Sequence, residues 1–408
     1  MKMKEVLSIC ILIDAAGWEI VKGTPFLKNI APHRKRLNSV FGYSSACIPS
    51  IVSGRWPESH RNWCYFVYDP IKSPFRSLTG FKWLPRALTS RRRVRRLLTA
   101  MVRKRIGFEG YFDLYNIPFD QIHLYDFSEK KSPLRPGGMN CGPNIFDHFK
   151  AEKLNYWASD PDKDEAANYA DLLKVIDQGE VDFTFSYWPK LDGLLHMVGN
   201  KSPQVPEKLE AYQQWIDTVM AAARKRYKKV TLDVFSDHGM ANCDELLDLK
   251  AKIEALSVGA PDDFAVVYDS TMARFWFFND RSRKQVVDCL KQVPQGRILP
   301  DAELKELQTY FPDNAFGELI FLVKEGVLIV PSHMGERPIR AMHGYHPTDK
   351  HSFATICSSQ EISEDLTAIP HLCGLMKERA REAQLLNQGK KVQKSTGRPE
   401  MLVEALAK

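Results

Sequence analysis

The strongest constraint on the fold is a short apolar strand that runs directly into two metal-binding side chains. Residues 230–235 are apolar except for Thr231 and Asp233, and the chain continues as Ser-Asp-His-Gly-Met, with Asp237 next to His238. Open α/β sheets place their ligand sites at the carboxyl ends of strands. A carboxylate beside an imidazole is a ligand mixture that suits zinc or a related divalent metal. The run therefore suggests a site at a strand end.

Three other runs have a similar apolar character, at residues 6–13, 181–187 and 353–357. Continuous apolar runs are typical of strands that are covered on both faces. Amphipathic stretches such as residues 162–178 and 206–225 lie between these runs and predict helices. We therefore predict an α/β fold with a doubly wound, mostly parallel sheet flanked by helices.

Two regions look like additions to this core. Residues 70–136 are basic and rich in proline and aromatic residues, and we expect an insertion beside the site. Residues 259–338 show a strand, two helices and a further strand, which predicts a small inserted α+β subdomain. Residues 1–258 and 339–373 would then form the core, and residues 374–408 a helical, polar tail.

Composition narrows the class of protein. With 408 residues, 44% apolar and 26% charged, we expect a soluble globular chain of one large domain with an insertion, or of two domains. There is no run of about 18 apolar residues, so no transmembrane helix is expected. The apolar N-terminal run stops at Asp14, which argues against a signal peptide. Eight cysteines without a C-x-x-C pair disfavour a cysteine zinc site and predict free thiols in a reducing, cytoplasmic compartment.

The net charge of +7 is concentrated in one stretch, from Arg86 to Arg105. Such a stretch can bind nucleic acid, anionic lipid or an acidic protein. No aromatic residues interleave with the arginines, which weakens a single-strand-binding interpretation. We expect an anionic surface contact between Arg91 and Arg105, and a solvated helix face is an alternative of equal weight.

Further candidate metal ligands follow the other predicted strands. Asp14 ends the first strand, although a carboxylate in this position is often a helix N-cap. Asp192 and His196 follow the run at 181–187, and a spacing of four residues puts both side chains on one face of a helical turn. The alternative for this pair is a solvated turn.

A late histidine is the last candidate ligand. His343 precedes the final core strand, in the run Ala-Met-His-Gly-Tyr-His-Pro. It could equally be a structural loop histidine. His346 and His351 lie nearby and compete for the same role.

A nucleophile is predicted where residues 42–54 form a turn that runs into a helix. A helix N-terminus offers free N–H groups and the positive end of the helix dipole, and both suit a phosphate. Ser44 or Ser45 at this end could be held on a metal as an alkoxide. A serine N-cap is the alternative, and it is compatible with an anion site.

Taken in chain order, these segments resemble the alkaline phosphatase superfamily, and most closely the type I phosphodiesterase/nucleotide pyrophosphatase group. Ser-Asp-His-Gly-Met is specific in this context, and residues 54–60 resemble the family run Gly-x-x-Pro-Glu-Ser-His. The family's nucleophile lies ten residues before that glycine, which selects Ser44. The family's late histidine occurs in a His-Gly-Tyr run, which selects His343 over His346.

The resemblance implies two divalent metal ions, usually zinc, with manganese or magnesium as alternatives. One ion would be held by Asp14, Ser44, Asp237 and His238, and the other by Asp192, His196 and His343. It also implies a small-molecule phosphate ester as substrate. A phosphate diester or pyrophosphate bond would be cleaved through a metal-activated serine and a phosphoseryl intermediate.

The surroundings of Ser44 depart from the family and keep other functions open. Residues 44–48 lack the Pro and Arg of sulfatases, and of the phosphodiesterase run Thr-Phe-Pro-Asn-His only the hydroxyl remains. The family's oxyanion-stabilising Asn aligns with Tyr65, while Asn62 is out of register. One alternative is a phosphomonoesterase, phosphonate hydrolase or phospho-group transferase on the same fold. Another is a non-catalytic, metal-bearing protein that binds anions.

Overall fold

A six-stranded, mostly parallel sheet forms the centre of the protein. The structure is a computed structural model that describes residues 3–81, 83 and 91–390. In chain order its strands are β1 Lys4–Ile13, β2 His33–Leu37, β3 Phe66–Tyr68, β4 Tyr125–Phe127, β5 Tyr156–Ala158, β6 Phe183–Trp188, β7 Tyr227–Phe235, β8 Ala241–Asn242, β9 Glu245–Leu247, β10 Phe264–Tyr268, β11 Met272–Phe277, β12 Gly296–Ile298, β13 Leu319–Val323, β14 Val327–Ile329, β15 Ala341–Met342 and β16 Ala354–Ser358.

Helices connect and cover these strands. They are α1 Trp18–Val21, α2 Ser44–Ser53, α3 Pro57–His60, α4 Arg92–Ile106, α5 Ile145–Ala151, α6 Glu165–Gln178, α7 Lys190–Val198, α8 Gln204–Arg226, α9 Leu249–Glu254, α10 Asp280–Lys291, α11 Asp301–Glu306 and α12 Leu372–Asn387. Short 3-10 helices lie at Arg76–Phe81, Ile122–Leu124 and Ile369–His371. In the described part of the chain, no helix is long and apolar enough to cross a membrane.

The central sheet has the strand order β2-β16-β7-β1-β6-β5. Strands β5, β6, β1 and β7 pair in parallel, whereas β16 runs antiparallel to both β7 and β2. The predicted α/β fold with a mostly parallel sheet is thereby confirmed. Four of the six strands coincide with the apolar runs in the sequence.

Both faces of the central sheet are buried. Along β1, Ile9 and Ile11 pack with residues of α6, α7 and α8, whereas Cys10 and Leu12 pack with residues of α2, α5 and α12 on the opposite face. Successive strand residues point to opposite faces, so a strand between two helical layers needs apolar side chains at every position. This explains why the N-terminal run is continuously apolar.

A second, antiparallel sheet has the order β10-β11-β13-β12. On one face, Phe264 and Val266 pack against Val286 and Leu290 of α10. On the other face, Ala265 and neighbouring residues pack against an aromatic cluster from the basic insertion. The insertion at 70–136 is therefore anchored on the second sheet; its residues 82 and 84–90 lie outside the described part.

The predicted domain boundaries remain a prediction. Strand β9 lies before residue 259, yet it pairs with β14 inside the proposed subdomain. The predicted tail begins within α12, which docks on the central sheet. The Asn387 side-chain oxygen accepts the N–H groups of Glu5 and Val6 at 2.9 Å each, and Arg379 lies 3.2 Å from Asp233. Residues 391–408 of that predicted tail lie outside the described residues.

A buried ion pair next to the second sheet also ties that sheet to strand β3. Arg274 of β11 is fully buried, and its Nε donates to Asp269 at 2.7 Å. Its Nη1 donates to the carbonyl oxygens of Phe66 in β3 at 2.8 Å and of Phe316 at 3.2 Å. One guanidinium thus satisfies one carboxylate and two carbonyl groups that water does not reach.

We expect Arg274→Ala to destabilise the fold by about 3–5 kcal/mol, because it leaves Asp269 as an unpaired buried charge. Urea unfolding measures this change. Arg283→Ala is the matched control: it breaks the exposed 3.2 Å pair with Glu318 and should cost no more than about 1 kcal/mol. Equal effects of the two substitutions would contradict the structural role of Arg274.

Candidate active site

The candidate site lies at one edge of the central sheet, where three parallel strands end together. In β1, Leu12 is level with Tyr187 of β6 and with Phe235 of β7. Asp14 follows β1, and Asp237 follows β7 by two residues. Asp192 lies in α7, which begins two residues after β6. The register of the strands therefore brings three carboxylates to one place, as the strand-end prediction requires.

Two glycines let the loops after β1 and β7 approach each other. A Cβ atom on Gly17 would lie 2.3 Å from the Cα of Gly239, and a Cβ on Gly239 would lie 2.3 Å from the carbonyl oxygen of His351. A larger side chain at either position would push these loops apart. The glycine after Asp237 and His238 is thus required by packing beside the site.

Ser44 lies at the first position of α2, and Tyr43 is the N-cap residue. The Ser44 hydroxyl does not cap the helix; it is hydrogen-bonded to Nε2 of His238 at 2.9 Å. The Ser45 hydroxyl is buried and donates to the carbonyl oxygen of Trp63 at 2.6 Å. Of the two candidate serines, the structure brings only Ser44 to the cluster of ligand residues.

One group of candidate ligands surrounds His238. Its Nε2 lies 3.1 Å from Oδ2 of Asp237 and 3.4 Å from Oδ1 of Asp14. Its Nδ1 is 2.9 Å from the carbonyl oxygen of Gly239. Because Nδ1 can donate its proton to that carbonyl, Nε2 is left with a lone pair that faces the two carboxylates and Ser44.

The second group consists of Asp192, His196 and His343. The Nε2 atoms of the two histidines lie 3.3 and 3.5 Å from different oxygens of Asp192. His196 Nδ1 lies 2.8 Å from the carbonyl oxygen of Ala341. This contact orients the His196 ring, just as the Gly239 carbonyl orients the His238 ring. The ring of His343 stacks on that of His238 at 3.8 Å, so the two groups adjoin.

All seven predicted ligand residues therefore come together, and the two competing histidines do not. His346 Nε2 is 3.1 Å from Glu303, and His351 Nδ1 is 2.7 Å from Glu325. Asp192 belongs to both close-packed groups, because Asp14, Asp192 and His238 also offer ligand atoms within 4.8 Å of one another. The sequence assigned Asp192 to one group only.

The carboxylates are oriented by partners outside the cluster. The Tyr187 hydroxyl donates to Oδ2 of Asp14 at 2.6 Å, and the N–H groups of Ala15 and His238 donate to Oδ1 of Asp237 at 3.2 and 3.0 Å. The other oxygens, Asp14 Oδ1 and Asp237 Oδ2, are buried and accept no hydrogen bond from the described residues; the same holds for Asp192 Oδ1. Three orphaned carboxylate oxygens thus face one another.

This crowding shifts the pKa values of the cluster in opposite directions. Burial raises the pKa of Asp14 well above its usual range, and the charges of Asp237 and Asp192 raise it further. Burial alone would lower the pKa of His238, but the neighbouring carboxylates, Asp237 above all, raise it to about 10. Burial and the two other imidazoles lower the pKa of His343. The cluster concentrates negative charge that a cation would balance.

The donor set fits divalent metal ions. Three orphaned carboxylate oxygens, three imidazole nitrogens and one hydroxyl offer only oxygen and nitrogen ligands, a mixture that zinc and manganese accept. Outer partners such as Tyr187 and the Ala341 carbonyl orient these ligands, as is usual around bound metals. Such orphaned oxygens are otherwise costly to bury.

A cavity of about 740 Å³ opens beside Ser44. Its wall includes Tyr65, Tyr111 and Tyr115. The ring centre of Tyr65 lies 5.2 Å from that of Tyr111 and 6.0 Å from that of Tyr115. Glu129, also in the wall, is buried and accepts the N–H of Tyr111 at 3.2 Å. Asn62 does not reach the cavity, because it is buried and its side-chain oxygen accepts the N–H of Asn140 at 3.1 Å.

Sequence reasoning missed most of these wall residues and the role of Tyr187. The hydroxyl of Tyr187 near the end of an apolar run was a signal that could have indicated its role, because the strand that contains Tyr187 pairs with the strand that ends before Asp14. Tyr111 and Glu129 carried no such signal, because they belong to the insertion and come close to Ser44 only through tertiary packing.

The fold has counterparts among solved structures. Murine ectonucleotide pyrophosphatase/phosphodiesterase 5 superimposes with a TM-score of 0.64 at 15% identity, over 92% of this chain and 95% of that one. The human enzyme gives 0.64 at 14% identity over the same fractions. An inactive threonine-to-alanine variant of the murine enzyme, in complex with AMP, gives 0.62 at 15% identity over 93% and 95%. This chain thus shares the fold of these solved structures.

The sequence itself establishes the family. Residues 8–346 match the family described as type I phosphodiesterase/nucleotide pyrophosphatase. This chain therefore belongs to that family and is a hydrolase, which excludes the non-catalytic alternative. No curated protein matches it.

Glu129 makes stability depend on pH. Burial raises its pKa from an ordinary 4.5 to about 8, despite the hydrogen bond from Tyr111. Because the folded-state pKa is raised, the folded chain holds this proton where the unfolded chain has lost it. Stability therefore falls as pH rises from 4.5 to 8 and then levels off.

We compare the free energy of unfolding of Glu129→Gln with that of wild type at pH 5 and at pH 8.5. The difference should shift by about 2–4 kcal/mol in favour of the variant at the higher pH, because glutamine has no carboxylate to desolvate. Urea unfolding at both pH values measures the difference. The exposed neighbour Glu109 supplies the control, Glu109→Gln, whose difference from wild type should stay constant. Parallel pH profiles for Glu129→Gln and wild type would refute the prediction.

Proposed function

We propose that this chain is a two-metal hydrolase of phosphate diesters or pyrophosphates with Ser44 as its nucleophile. The observation that carries the proposal is the position of the Ser44 hydroxyl, 2.9 Å from His238 Nε2 in a cluster of orphaned carboxylate oxygens. Membership of the phosphodiesterase family supports the reaction class. The AMP bound to the inactive murine relative supports a nucleotide-like phosphate ester as substrate.

The chain's own residues suit the binding of two cations. Asp14, Asp237, His238 and Ser44 would hold one, and Asp192, His196 and His343 the other. When bound, the cations would supply positive charge that activates the serine hydroxyl and stabilises the leaving oxygen. Zinc fits the three imidazoles best, and manganese or magnesium are the alternatives.

Ser44 then has a defined part in the reaction. Its Oγ gives up its proton to solvent and attacks phosphorus, an O–P bond to the serine forms, and the bond to the leaving oxygen breaks as that group takes up a proton from solvent. Water later attacks the phosphoseryl group, which releases a phosphate monoester and restores the hydroxyl. The N-terminus of α2 directs N–H groups and the positive dipole end towards the phosphoryl oxygens.

We expect Ser44→Ala to lower kcat by at least about 10³-fold while leaving the fold intact, since no other described side chain offers a hydroxyl at this position. Turnover of bis-p-nitrophenyl phosphate measures the loss. Ser45→Ala is the matched control and should retain turnover within about tenfold, because the Ser45 hydroxyl is hydrogen-bonded to the carbonyl oxygen of Trp63 and not to the ligand cluster.

The same assay decides between related reactions. Near-normal turnover by Ser44→Ala would remove Ser44 as nucleophile. Higher kcat/KM for p-nitrophenyl phosphate than for the diester would favour the phosphomonoesterase alternative. Turnover that a chelator does not reduce would overturn the metal requirement.

Asp192 gives an independent test of the metal sites. Because it belongs to both groups, Asp192→Asn should lower metal content more than His196→Gln does. We expect about two bound ions in wild type, about one in His196→Gln and fewer in Asp192→Asn. Elemental analysis after dialysis measures this. The control is Asp160→Asn on the cavity rim, whose partner is Arg135, and it should keep both ions.

We also propose that the chain resides in the cytoplasm. All eight cysteines are free thiols, and five of them are buried. Unpaired buried thiols are typical of a reducing compartment. Recovery of the tagged chain outside the cytoplasm after cell fractionation would contradict this proposal.

A further inference from the structure

Helix α4 exposes a stripe that is both basic and apolar. The helix contains no acidic residue. Six of its exposed positions recur at intervals of three and four, so they form one continuous face. That face consists of Arg93, Arg96, Leu97, Ala100, Met101 and Lys104. Leu97 and Met101 are 64% and 60% exposed, which is unusual for side chains of this size.

The opposite face of α4 is tied to the protein. Val102 is buried in the aromatic cluster of the insertion. Arg95 is buried as well: its Nη1 donates to the carbonyl oxygen of Ile117 at 2.9 Å, and its guanidinium lies over the ring of Phe119, 4.4 Å from the ring centre. These contacts hold the basic, apolar stripe outward. It cannot turn inward without breaking them.

The insertion as a whole exposes apolar side chains. Among the described residues, five of the nine large hydrophobic side chains that are exposed lie between residues 70 and 136: Ile71, Trp83, Leu97, Met101 and Tyr111. Apolar exposure concentrated in one segment marks an interaction site rather than scattered surface variation.

Nucleic acid and an anionic bilayer could both suit the basic residues of the stripe. The apolar residues of the stripe distinguish between these two partners. Against nucleic acid, Leu97 and Met101 would face phosphates, and α4 offers no aromatic ring on which a base could stack. Against an anionic bilayer, the same two side chains enter the apolar boundary while the arginines and the lysine meet lipid phosphates. The mixed stripe therefore favours the bilayer.

We propose that the exposed face of α4 docks the protein on an anionic membrane surface. The stripe adjoins the candidate active site, because Arg103, one residue before Lys104, lines the cavity beside Ser44. A docked helix would hold the cavity rim close to the lipid surface. The docking itself does not rest on the proposed hydrolase function.

Flotation with phosphatidylcholine vesicles, with and without phosphatidylglycerol, tests the proposal on the full chain. Wild type should float with the anionic vesicles and be released by salt. Leu97→Ser/Met101→Ser should lower the partition coefficient at least about tenfold. Arg93→Gln/Arg96→Gln/Lys104→Gln should lower it about 100-fold, from roughly fivefold for each charge.

Matched controls change exposed residues elsewhere. Leu246→Ser removes an apolar side chain outside the insertion, and Arg281→Gln/Lys284→Gln/Lys291→Gln removes three basic residues of α10. Both should float like wild type. Every variant should turn over a soluble diester at the wild-type rate, which shows that the stripe variants are folded.

The proposal is overturned if wild type does not float, or if the stripe variants float as well as wild type does. It is also overturned if the stripe binds an oligonucleotide in a gel-shift assay while vesicles are not bound. Wild type could bind the vesicles while neither it nor any variant hydrolyses the soluble diester. In that case the proposed function fails and the membrane proposal stands.

Discussion

The candidate site depends on three carboxylates that lie beside one another, of which Asp14 and Asp237 are buried and Asp192 is partly exposed. Asp14, Asp192 and Asp237 each place an oxygen without a hydrogen bond at one edge of the sheet. Such burial is costly unless the negative charge is balanced by a nearby cation. The same imbalance that costs stability prepares the site for divalent cations. Stability and the proposed function are therefore opposed at this edge of the sheet.

The rest of the core keeps these side chains in place. Three parallel strands end level with one another, so Asp14 and Asp237 emerge side by side. Backbone N–H groups, the Tyr187 hydroxyl and two carbonyl oxygens orient the ligands from outside. Tyr187 lies in β6 and Ala341 in β15, while Ala15 and Gly239 lie in the loops that follow β1 and β7. The ligands are therefore oriented both by the sheet and by the two loops at its edge.

The basic insertion connects this site to the surface. It is anchored through its aromatic cluster on the second sheet, and it supplies Tyr111 and Glu129 to the cavity wall. Its helix α4 carries the basic, apolar stripe on the outside, and Arg103 in the last turn of this helix lines the cavity. One segment thus shapes both the space beside Ser44 and the surface that we propose meets a membrane. The departures from the family around Ser44 and Tyr65 lie beside the same cavity.

The sequence by itself determined the core fold and the chemistry of the site. Apolar runs buried on both faces predict strands of a parallel sheet, and motifs at their ends name the acidic and imidazole residues, because both signals are local in the chain. The family resemblance favours Ser44 over Ser45, and the tertiary structure adds that only the Ser44 hydroxyl reaches the ligand cluster, whereas that of Ser45 is hydrogen-bonded to the Trp63 carbonyl. It also decided that Asp192 is shared by both groups and that Glu129 is buried in the cavity wall. These features arise from contacts between segments far apart in the chain, and no local pattern of residues encodes them.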